Sequence, residues 1–116
     1  SKSLKSCRGE ALQVMAILAR HGHDDPAVAK AAFTQGVGML DFDADTPMPS
    51  TDDWVSVLDA ALEKLDGLKS AEKEKLVRAL TTVVMHDGKM EPAELELLRA
   101  TCDLIHVPLP MLGAAS

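Results

Sequence analysis

The sequence predicts an all-α protein, a single compact bundle of about five helices. Of its 116 residues, 47% are hydrophobic but only 3% are aromatic, with no Tyr, one Trp and two Phe. With so few aromatic residues the core must consist of Leu, Ala, Val and Met, which helices accommodate well. Apolar residues also recur at helical spacing between cap and stop signals. The length fits one domain and is too short for two.

The first two helices are predicted from apolar periodicity and from helix-capping residues. Helix one is expected from about residue 4 to residue 20, where apolar residues recur every three or four positions. Asp24 or Asp25 is the expected N-cap of helix two, because Pro26 then occupies its first position. This second helix is expected to continue to Met39.

Three further helices are predicted in the second half of the chain. Ser50 or Thr51 is expected to cap helix three and Ser70 to cap helix four, while Pro92 lies near the start of helix five. Pro108 and Pro110 prevent further extension of helix five. Nine side chains on the apolar faces of these helices are expected to be buried: Trp54, Leu58, Leu62, Leu76, Leu80, Val83, Leu95, Leu98 and Cys102.

Asp-Gly pairs join helices three to five through short connections. Asp66-Gly67 is followed by Leu68, and Asp87-Gly88 is followed closely by Met90. Short connections force neighbouring helices to pack against each other, mostly antiparallel. Each glycine is expected to adopt the left-handed conformation, with the next apolar residue folding back on the preceding turn.

Charge is distributed unevenly along the chain. The formal net charge is −6, and residues 41 to 66 hold eight acids against one base, Lys64. Such a region repels nucleic acid and anionic lipid, so we expect neither as a partner. No apolar run approaches 18 residues, and we expect no direct membrane insertion. The chain begins with Ser1 rather than Met, so residues 1–116 are expected to be a helical domain excised from a longer chain.

Two cysteines, Cys7 and Cys102, lie far apart and in no metal-ligand spacing. Both have helical, partly apolar neighbours, where a reduced thiol acts as a small hydrophobic side chain. A disulfide is the alternative. The first interpretation favours a reducing compartment.

Residues 41–50 are predicted to be the main irregular loop, and it is acidic. Asp41, Asp43 and Asp45 occupy positions 1, 3 and 5 of a calcium loop, and Asp52 falls at position 12. Position 6, normally glycine, is Thr46, and the bidentate Glu is replaced by the shorter Asp. We therefore interpret the segment as a solvated acidic loop with helix-capping residues, with a weak divalent site as the alternative.

The segment His21-x-His23-Asp24-Asp25 also holds metal-ligand residue types. Imidazoles and carboxylates this close can meet in a loop, but no third or fourth ligand appears at a recognisable zinc spacing. The alternative is that the histidines lie at the negative end of helix one, where a partly positive imidazole is favourable. That second interpretation is preferred.

The last third of the chain resembles the tellurite-resistance TerB-like helical modules. The apolar helix that includes Val84 ends at Asp87-Gly88, and a new helix begins within Glu91-Pro92-Ala93-Glu94. TerB-like modules join helices by such an Asp-Gly-x-hydrophobic turn with a Glu shortly after it. The resemblance implies a cation site at Asp87, Glu91 and Glu94. The same residues are also those expected simply to form the turn and the helix start, and we expect no metal there.

A narrower resemblance concerns the end of the chain. The segment Glu96–Ala100, together with Pro108-Leu109-Pro110 and the following Met111-Leu112, looks like the C-terminal region of HtpX-like membrane-anchored zinc metallopeptidases. This resemblance implies a membrane-anchored parent protein that holds the zinc. This domain would then lie on the cytoplasmic side of the membrane. It also implies a protein partner, possibly the parent peptidase domain. No cofactor is expected in this domain.

No catalytic constellation is visible in the sequence. His-Glu-x-x-His, Gly-x-Ser-x-Gly and P-loop patterns are absent, and neither cysteine has an arranged base. We therefore expect a non-catalytic interaction or regulatory module of a membrane-anchored zinc metallopeptidase. The alternative is a stand-alone TerB-like acidic domain that binds a divalent cation in a tellurite-type stress response.

Overall fold

Five α-helices make up the regular structure of residues 2–110, the part of the chain that the computed structural model describes. The all-α prediction is confirmed, since this part of the chain contains no strand and only one isolated bridge, between Lys2 and Leu68. None of the helices is long and apolar enough to cross a membrane. The helices are α1 (Arg8–Gly22), α2 (Pro26–Met39), α3 (Trp54–Leu65), α4 (Ser70–Val84) and α5 (Pro92–Leu104).

Helix α1 lies at the centre and contacts each of the other four helices. Every residue from Val14 to Ala19 is buried, so α1 is surrounded on all sides rather than along one stripe. A helix that is apolar all round is stable only when other helices cover it completely. The apolar periodicity therefore identifies α1 but underestimates how much of it is buried.

Close packing holds α2 against α1 and α4. A Cβ at Gly36 would lie 2.5 Å from Cγ2 of Val83 and 2.7 Å from Sδ of Met15. Only glycine fits at that contact, because a real Cβ atom does not approach another heavy atom so closely. Gly36 thus marks a tight helix contact rather than a frayed end of α2.

Helices α3 and α5 lie side by side on α1 and run in the same direction. The rings of His21, near the end of α1, and Trp54, at the start of α3, have centroids 4.3 Å apart. His21 also lines a cleft with Ala93 in the first turn of α5. At the other end, Leu104 of α5 shares a cleft with Asp66, the C-cap of α3.

The segments that flank the helices pack onto the bundle. The backbone of Lys2 bonds to Gly67 and Lys69 across the α3–α4 turn. After α5, the exit segment from Val107 to Pro110 lies against Val77 of α4. Met111 and Leu112, which belong to the C-terminal resemblance, lie outside the described residues.

Some predicted helix starts were wrong by a few residues. Helix α1 begins at Arg8 rather than near residue 4, because residues 4–7 form turns. Helix α3 is capped by Asp53 rather than by Ser50 or Thr51, since its Oδ1 accepts a hydrogen bond from the Ser56 N–H at 3.4 Å.

Ser70 was also wrongly predicted as a cap. It is the first residue of α4, and Lys69 before it occupies the N-cap position without a side-chain hydrogen bond. By contrast, the Asp25 cap of α2 and the start of α5 at Pro92 are confirmed.

The two Asp-Gly turns have different conformations. Gly88 has a φ of 77° and is left-handed as predicted, whereas Gly67 is not in the left-handed region. At the Asp66-Gly67 turn, Asp66 ends α3 in a right-handed helical conformation, and the Gly67 N–H donates a hydrogen bond to the Lys64 carbonyl at 3.1 Å. The prediction of a left-handed Gly67 was therefore wrong.

The predicted core is largely confirmed. Of the nine side chains expected inside, seven are buried, and Trp54 and Leu95 are half-buried. Both cysteines are buried and free, so the disulfide alternative is excluded in this fold. Burial raises the pKa of the Cys102 thiol to about 11, which keeps it protonated and unreactive.

Candidate functional site

Two turns that are distant in sequence line one open cleft of about 490 Å³. One is the α1–α2 turn and the other is the connection from α4 to α5. We call this the acidic cleft and define it by one histidine and the five acids that line it: His23, Asp24, Asp25, Asp87, Glu91 and Glu94.

His23 is a buried residue of the acidic cleft, with 5% of its surface exposed. Its Nε2 lies 2.8 Å from the carbonyl oxygen of Val83 in the last turn of α4. A carbonyl only accepts, so Nε2 carries the proton, and in a neutral ring Nδ1 is then an acceptor. Nδ1 is buried without a hydrogen-bond partner.

Asp87 faces this unpartnered nitrogen. Its Oδ2 lies 3.6 Å from Nδ1 of His23, beyond hydrogen-bond distance, while its Oδ1 accepts from the Lys89 N–H at 3.0 Å. The Lys89 backbone N–H, and then the positive charge that His23 carries when protonated, lower the pKa of the Asp87 carboxyl. Asp87 is therefore a carboxylate at neutral pH.

Glu94, in the first turn of α5, is the buried carboxyl group of the cleft, with 8% of its surface exposed. Its Oε2 is buried and has no hydrogen-bond partner. Burial raises the pKa of this carboxyl, with further increases from the charges of Asp87 and Glu91, while the Glu91 backbone N–H opposes them. Gly22 leaves space here, since even a Cβ at that position would be 3.8 Å from Oε2.

The remaining acids form the rim of the cleft. Asp24 and Glu91 are exposed, and Asp25 is exposed too but its Oδ1 accepts from the Ala27 N–H at 2.9 Å as the cap of α2. Lys89 is the only Lys or Arg among the residues that line the cleft. Within residues 2–110, no three His, Cys, Asp or Glu side chains lie close enough together, as placed, to hold a metal ion.

The two histidines of the His21-x-His23 segment do not act as a pair. Nδ1 of His21 lies 2.9 Å from the Ile17 carbonyl, and its ring packs against Trp54. The histidine ring near His23 is instead that of His86, with centroids 5.8 Å apart. His21 agrees with the preferred interpretation, a histidine in the last turn of α1, whereas the burial of His23 was not predicted.

The acidic loop, residues 41–50, has a different arrangement. Oδ2 of Asp41 accepts from Nζ of Lys75 at 2.9 Å, and Oδ1 of Asp43 accepts from the Asp45 N–H at 2.9 Å. Asp41 has a φ of 61°, so the first residue of the supposed calcium loop already turns the chain. The carboxylates serve the turns of the loop and do not converge, in agreement with its interpretation as a solvated acidic loop.

A larger groove of about 790 Å³ separates α2 from the acidic loop and adjoins the acidic cleft at His23 and Asp24. Its lining mixes two bases, Arg20 and Lys30, with acids and apolar side chains. Opposite charges on the same walls give it no preference for one sign of ligand.

The sequence connects the two halves of the acidic cleft only loosely, since His23-Asp24-Asp25-Pro26 is a loose analogue of the acids that a TerB-like pattern needs in the first half of the chain. Asp87 and Glu94 were expected to lie near each other, but His23 was considered with His21 in a separate loop. The available signal was positional, because both segments connect consecutive helices and the two connections contain acids just before a helix-starting proline, Pro26 and Pro92.

Comparison with known proteins gives one family. No curated protein and no solved structure matches the chain. The matching family is described as tellurite resistance protein TerB, and the match covers residues 8–112. It includes all five helices and both turns of the acidic cleft, and it gives no link to a metallopeptidase. The chain belongs to the TerB tellurite-resistance family.

Proposed function

We propose that this TerB-family domain is a binding module whose acidic cleft holds a divalent metal ion. The observation that supports the proposal is a pair of buried acceptor atoms without donors, Oε2 of Glu94 and Nδ1 of His23. Oδ2 of Asp87 lies beside the second of them. The three side chains that carry these acceptors line one cleft, whose lining includes only one lysine.

Buried acceptors without donors are costly in a folded protein. Leaving such a group unsatisfied costs about 1–3 kcal/mol, and more when it is charged. A cation bound among them would remove that cost and the mutual repulsion of Asp87 and Glu94. The exposed rim acids Asp24 and Glu91 would have a further role, because their negative charge raises the local concentration of cations.

The orientation of His23 fits a metal ligand. Histidines that bind a metal through one ring nitrogen usually donate the other N–H to a carbonyl or carboxylate, which fixes the ring. Here Val83 provides that carbonyl, and Nδ1 lies 3.6 Å from Oδ2 of Asp87. A set of one imidazole with carboxylates suits Zn²⁺ or Mn²⁺ better than Ca²⁺, which prefers oxygen ligands only.

Each residue then has a defined part in binding. His23 and Glu94 belong to different helical connections, so holding the same ion would link the α1–α2 turn to the start of α5. When bound, the ion supplies positive charge and a rigid bridge. Asp87 remains ionised because the Lys89 N–H stabilises its carboxylate. We propose binding rather than catalysis, because His23, Asp87 and Glu94 all serve as ligands and no Ser, Thr or Cys is among the described residues that line the cleft.

Thermal unfolding of the metal-free domain with Zn²⁺, Mn²⁺, Ca²⁺ or Mg²⁺ added in turn tests the proposal. A ligand at about 100 times its dissociation constant stabilises the native state by about 2.7 kcal/mol. For a domain of this size that raises Tm by roughly 10 °C or more. We expect this shift with Zn²⁺ or Mn²⁺ in the wild type, and its loss in Asp87→Asn and Glu94→Gln.

Asp45→Asn is the matched control, since it removes one carboxylate from the acidic loop and leaves the cleft intact. It should retain the full shift. The proposal fails if no ion raises the wild-type Tm, or if Asp87→Asn and Glu94→Gln shift as much as the wild type does.

The more specific prediction, a C-terminal module of a membrane-anchored zinc metallopeptidase, is proposed only on the resemblance of Glu96–Ala100 and Pro108-Leu109-Pro110. The full coding sequence tests it. A His-Glu-x-x-His motif and transmembrane helices upstream of Ser1 would support it, and a start codon immediately before Ser1 would exclude it. In either case, the purified domain should cleave no denatured substrate with added zinc.

A further inference from the structure

A groove between α3 and α5 lies away from the acidic cleft and has an apolar centre with an acidic rim. We propose that it docks a cationic amphipathic helix of another protein. The groove residues are those that line a cleft of about 420 Å³ there: Asp59, Leu62, Glu63, Asp66 and Leu104.

The apolar part of the groove comes from both helices. Leu104, in the last turn of α5, is 52% exposed, although its neighbour Ile105 is fully buried. Leu62 forms the floor. On α5 an apolar stripe continues back from Leu104 at helical spacing through Ala100, half-buried Leu97 and Ala93. The stripe therefore presents a large apolar side chain to solvent at the end of α5 that borders the acidic side chains of α3.

The acidic part comes mainly from α3. Asp59 and Glu63 are one helical turn apart, both are exposed, and neither forms an ion pair within the described part of the chain. Lys64, the only base on α3, lies 3.5 Å from Glu10 of α1. Asp66 differs, because Lys73 and His106 already bond to its Oδ1.

Charge decides which occupant fits. A second copy of this chain has a net charge of −6, and an anionic membrane surface is also negative, so both are repelled by Asp59 and Glu63. A cationic partner gains from both carboxylates while it covers Leu104. The stripe on α5 has four apolar positions at spacings of four, three and four residues. It is therefore a narrow apolar line along the helix, against which the apolar face of a second helix can pack.

The dimensions indicate the length of the partner. Helix α5 has 13 residues, and at about 1.5 Å per residue it spans roughly 20 Å. A partner helix of three to four turns would lie along it, with apolar residues at i, i+4 and i+7 and Lys or Arg beside them. None of the five groove residues lines the acidic cleft, although Ala93, at the other end of the apolar stripe, does. Docking at the groove therefore does not require the proposed metal ion.

The test uses two synthetic helical peptides of about four turns. Both carry Leu at i, i+4, i+7 and i+11, with Lys flanking the Leu in the probe and Glu replacing every Lys in the control. We expect only the Lys peptide to bind, measured by anisotropy of a labelled peptide. Binding should weaken steeply between about 0.01 and 1 M salt, where the screening length falls from about 30 to 3 Å.

Variants locate the binding. Leu104→Gln should raise Kd at least about tenfold, which is about 1.4 kcal/mol. The double variant Asp59→Asn/Glu63→Gln should also raise Kd and should flatten the salt dependence. The matched controls are Met39→Gln, another exposed apolar residue, and Asp43→Asn/Asp45→Asn in the acidic loop, and both should bind like the wild type.

Each other outcome overturns the proposal. It fails if neither peptide binds, if the Glu peptide binds as well, or if the loop control weakens binding as much as the groove variants do. It also fails if Leu104→Gln abolishes binding to vesicles of anionic lipid, or if it abolishes a dimer seen by sedimentation, because the groove would then serve a membrane or a second copy.

Discussion

The acidic cleft and the acidic loop hold the same residue types but in opposite physical situations. In the loop, Asp41 pairs with Lys75 and Asp43 accepts from a backbone N–H, and both residues are exposed. In the cleft, Glu94 is buried with an oxygen that no donor reaches. A carboxylate that is hydrated or bonded already is stable without a cation, whereas a buried unpartnered one is not.

The difference shows that the number of acids in a segment does not indicate whether their carboxylates have hydrogen-bond donors. The loop holds at least as many acids as the α4–α5 connection and even has the alternating spacing of a calcium loop, yet its carboxylates are used for turns. In the cleft, by contrast, two helical connections bring acids from separate segments together around His23. Donor satisfaction and burial therefore separate the two regions where composition does not.

The largest expected difference between the two regions follows removal of a side chain from each. His23→Ala should lower the free energy of unfolding by about 2–4 kcal/mol, because it leaves a cavity and removes the hydrogen bond to Val83. Asp45→Ala in the loop should change it by less than about 0.5 kcal/mol. Urea unfolding of both variants measures this. Equal, small losses would mean that His23 does not connect the two halves of the cleft.

A smaller effect, of opposite sign, is expected from Glu94→Gln without added metal. Removing the buried charge relieves a desolvation cost of about 1–3 kcal/mol, partly offset by a loss of about 0.3–1 kcal/mol at the α5 N-terminus. The free energy of unfolding of the variant should therefore be higher than that of the wild type by about 1 kcal/mol at neutral pH. Asp43→Asn should give no such gain. A destabilised Glu94→Gln in metal-free buffer would show that the carboxylate is satisfied in the fold.

Asp66 provides a third situation, a carboxylate with two donors. Hydrogen bonds from Lys73 and then His106 hold the pKa of the Asp66 carboxyl below its ordinary value of 3.8. A lowered folded-state pKa stabilises the protein above the unfolded value, and this contribution is lost as the pH falls through the folded value. Wild-type Tm should therefore fall more than that of Asp66→Asn between about pH 5 and pH 2. Parallel curves would contradict the pairing.

The smallest effect is expected at the ion pair of the loop. The side chain of Asp41 is 83% exposed, and such pairs contribute about 0–1 kcal/mol. Asp41→Asn should lower the unfolding free energy by less than about 0.5 kcal/mol, with the loss disappearing at high salt. A larger loss that persists in salt would mean that the loop is held as firmly as the cleft, and the comparison would no longer stand.

Local patterns in the sequence determined the number, type and order of the helices. Apolar periodicity indicated all five, and the Pro26 and Pro92 starts were placed correctly because a proline fixes its own φ wherever it occurs. The predictions that failed were the caps at Ser50, Thr51 and Ser70 and the left-handed Gly67. Near the starts of α3 and α4, several residues can serve as the N-cap, and the sequence does not choose among them. At Gly67, a tertiary contact, the hydrogen bond from the Lys2 N–H to the Gly67 carbonyl, helps to fix the turn.

Only the tertiary structure decided which ionisable groups share a site. The sequence and its TerB resemblance gave Asp87, Glu91 and Glu94, which are close along the chain. It could not give the burial of His23, because that depends on where α1 ends relative to α4, some 60 residues away. Burial and the absence of donors arise from packing between distant segments, and residue spacing along one segment carries no information about either.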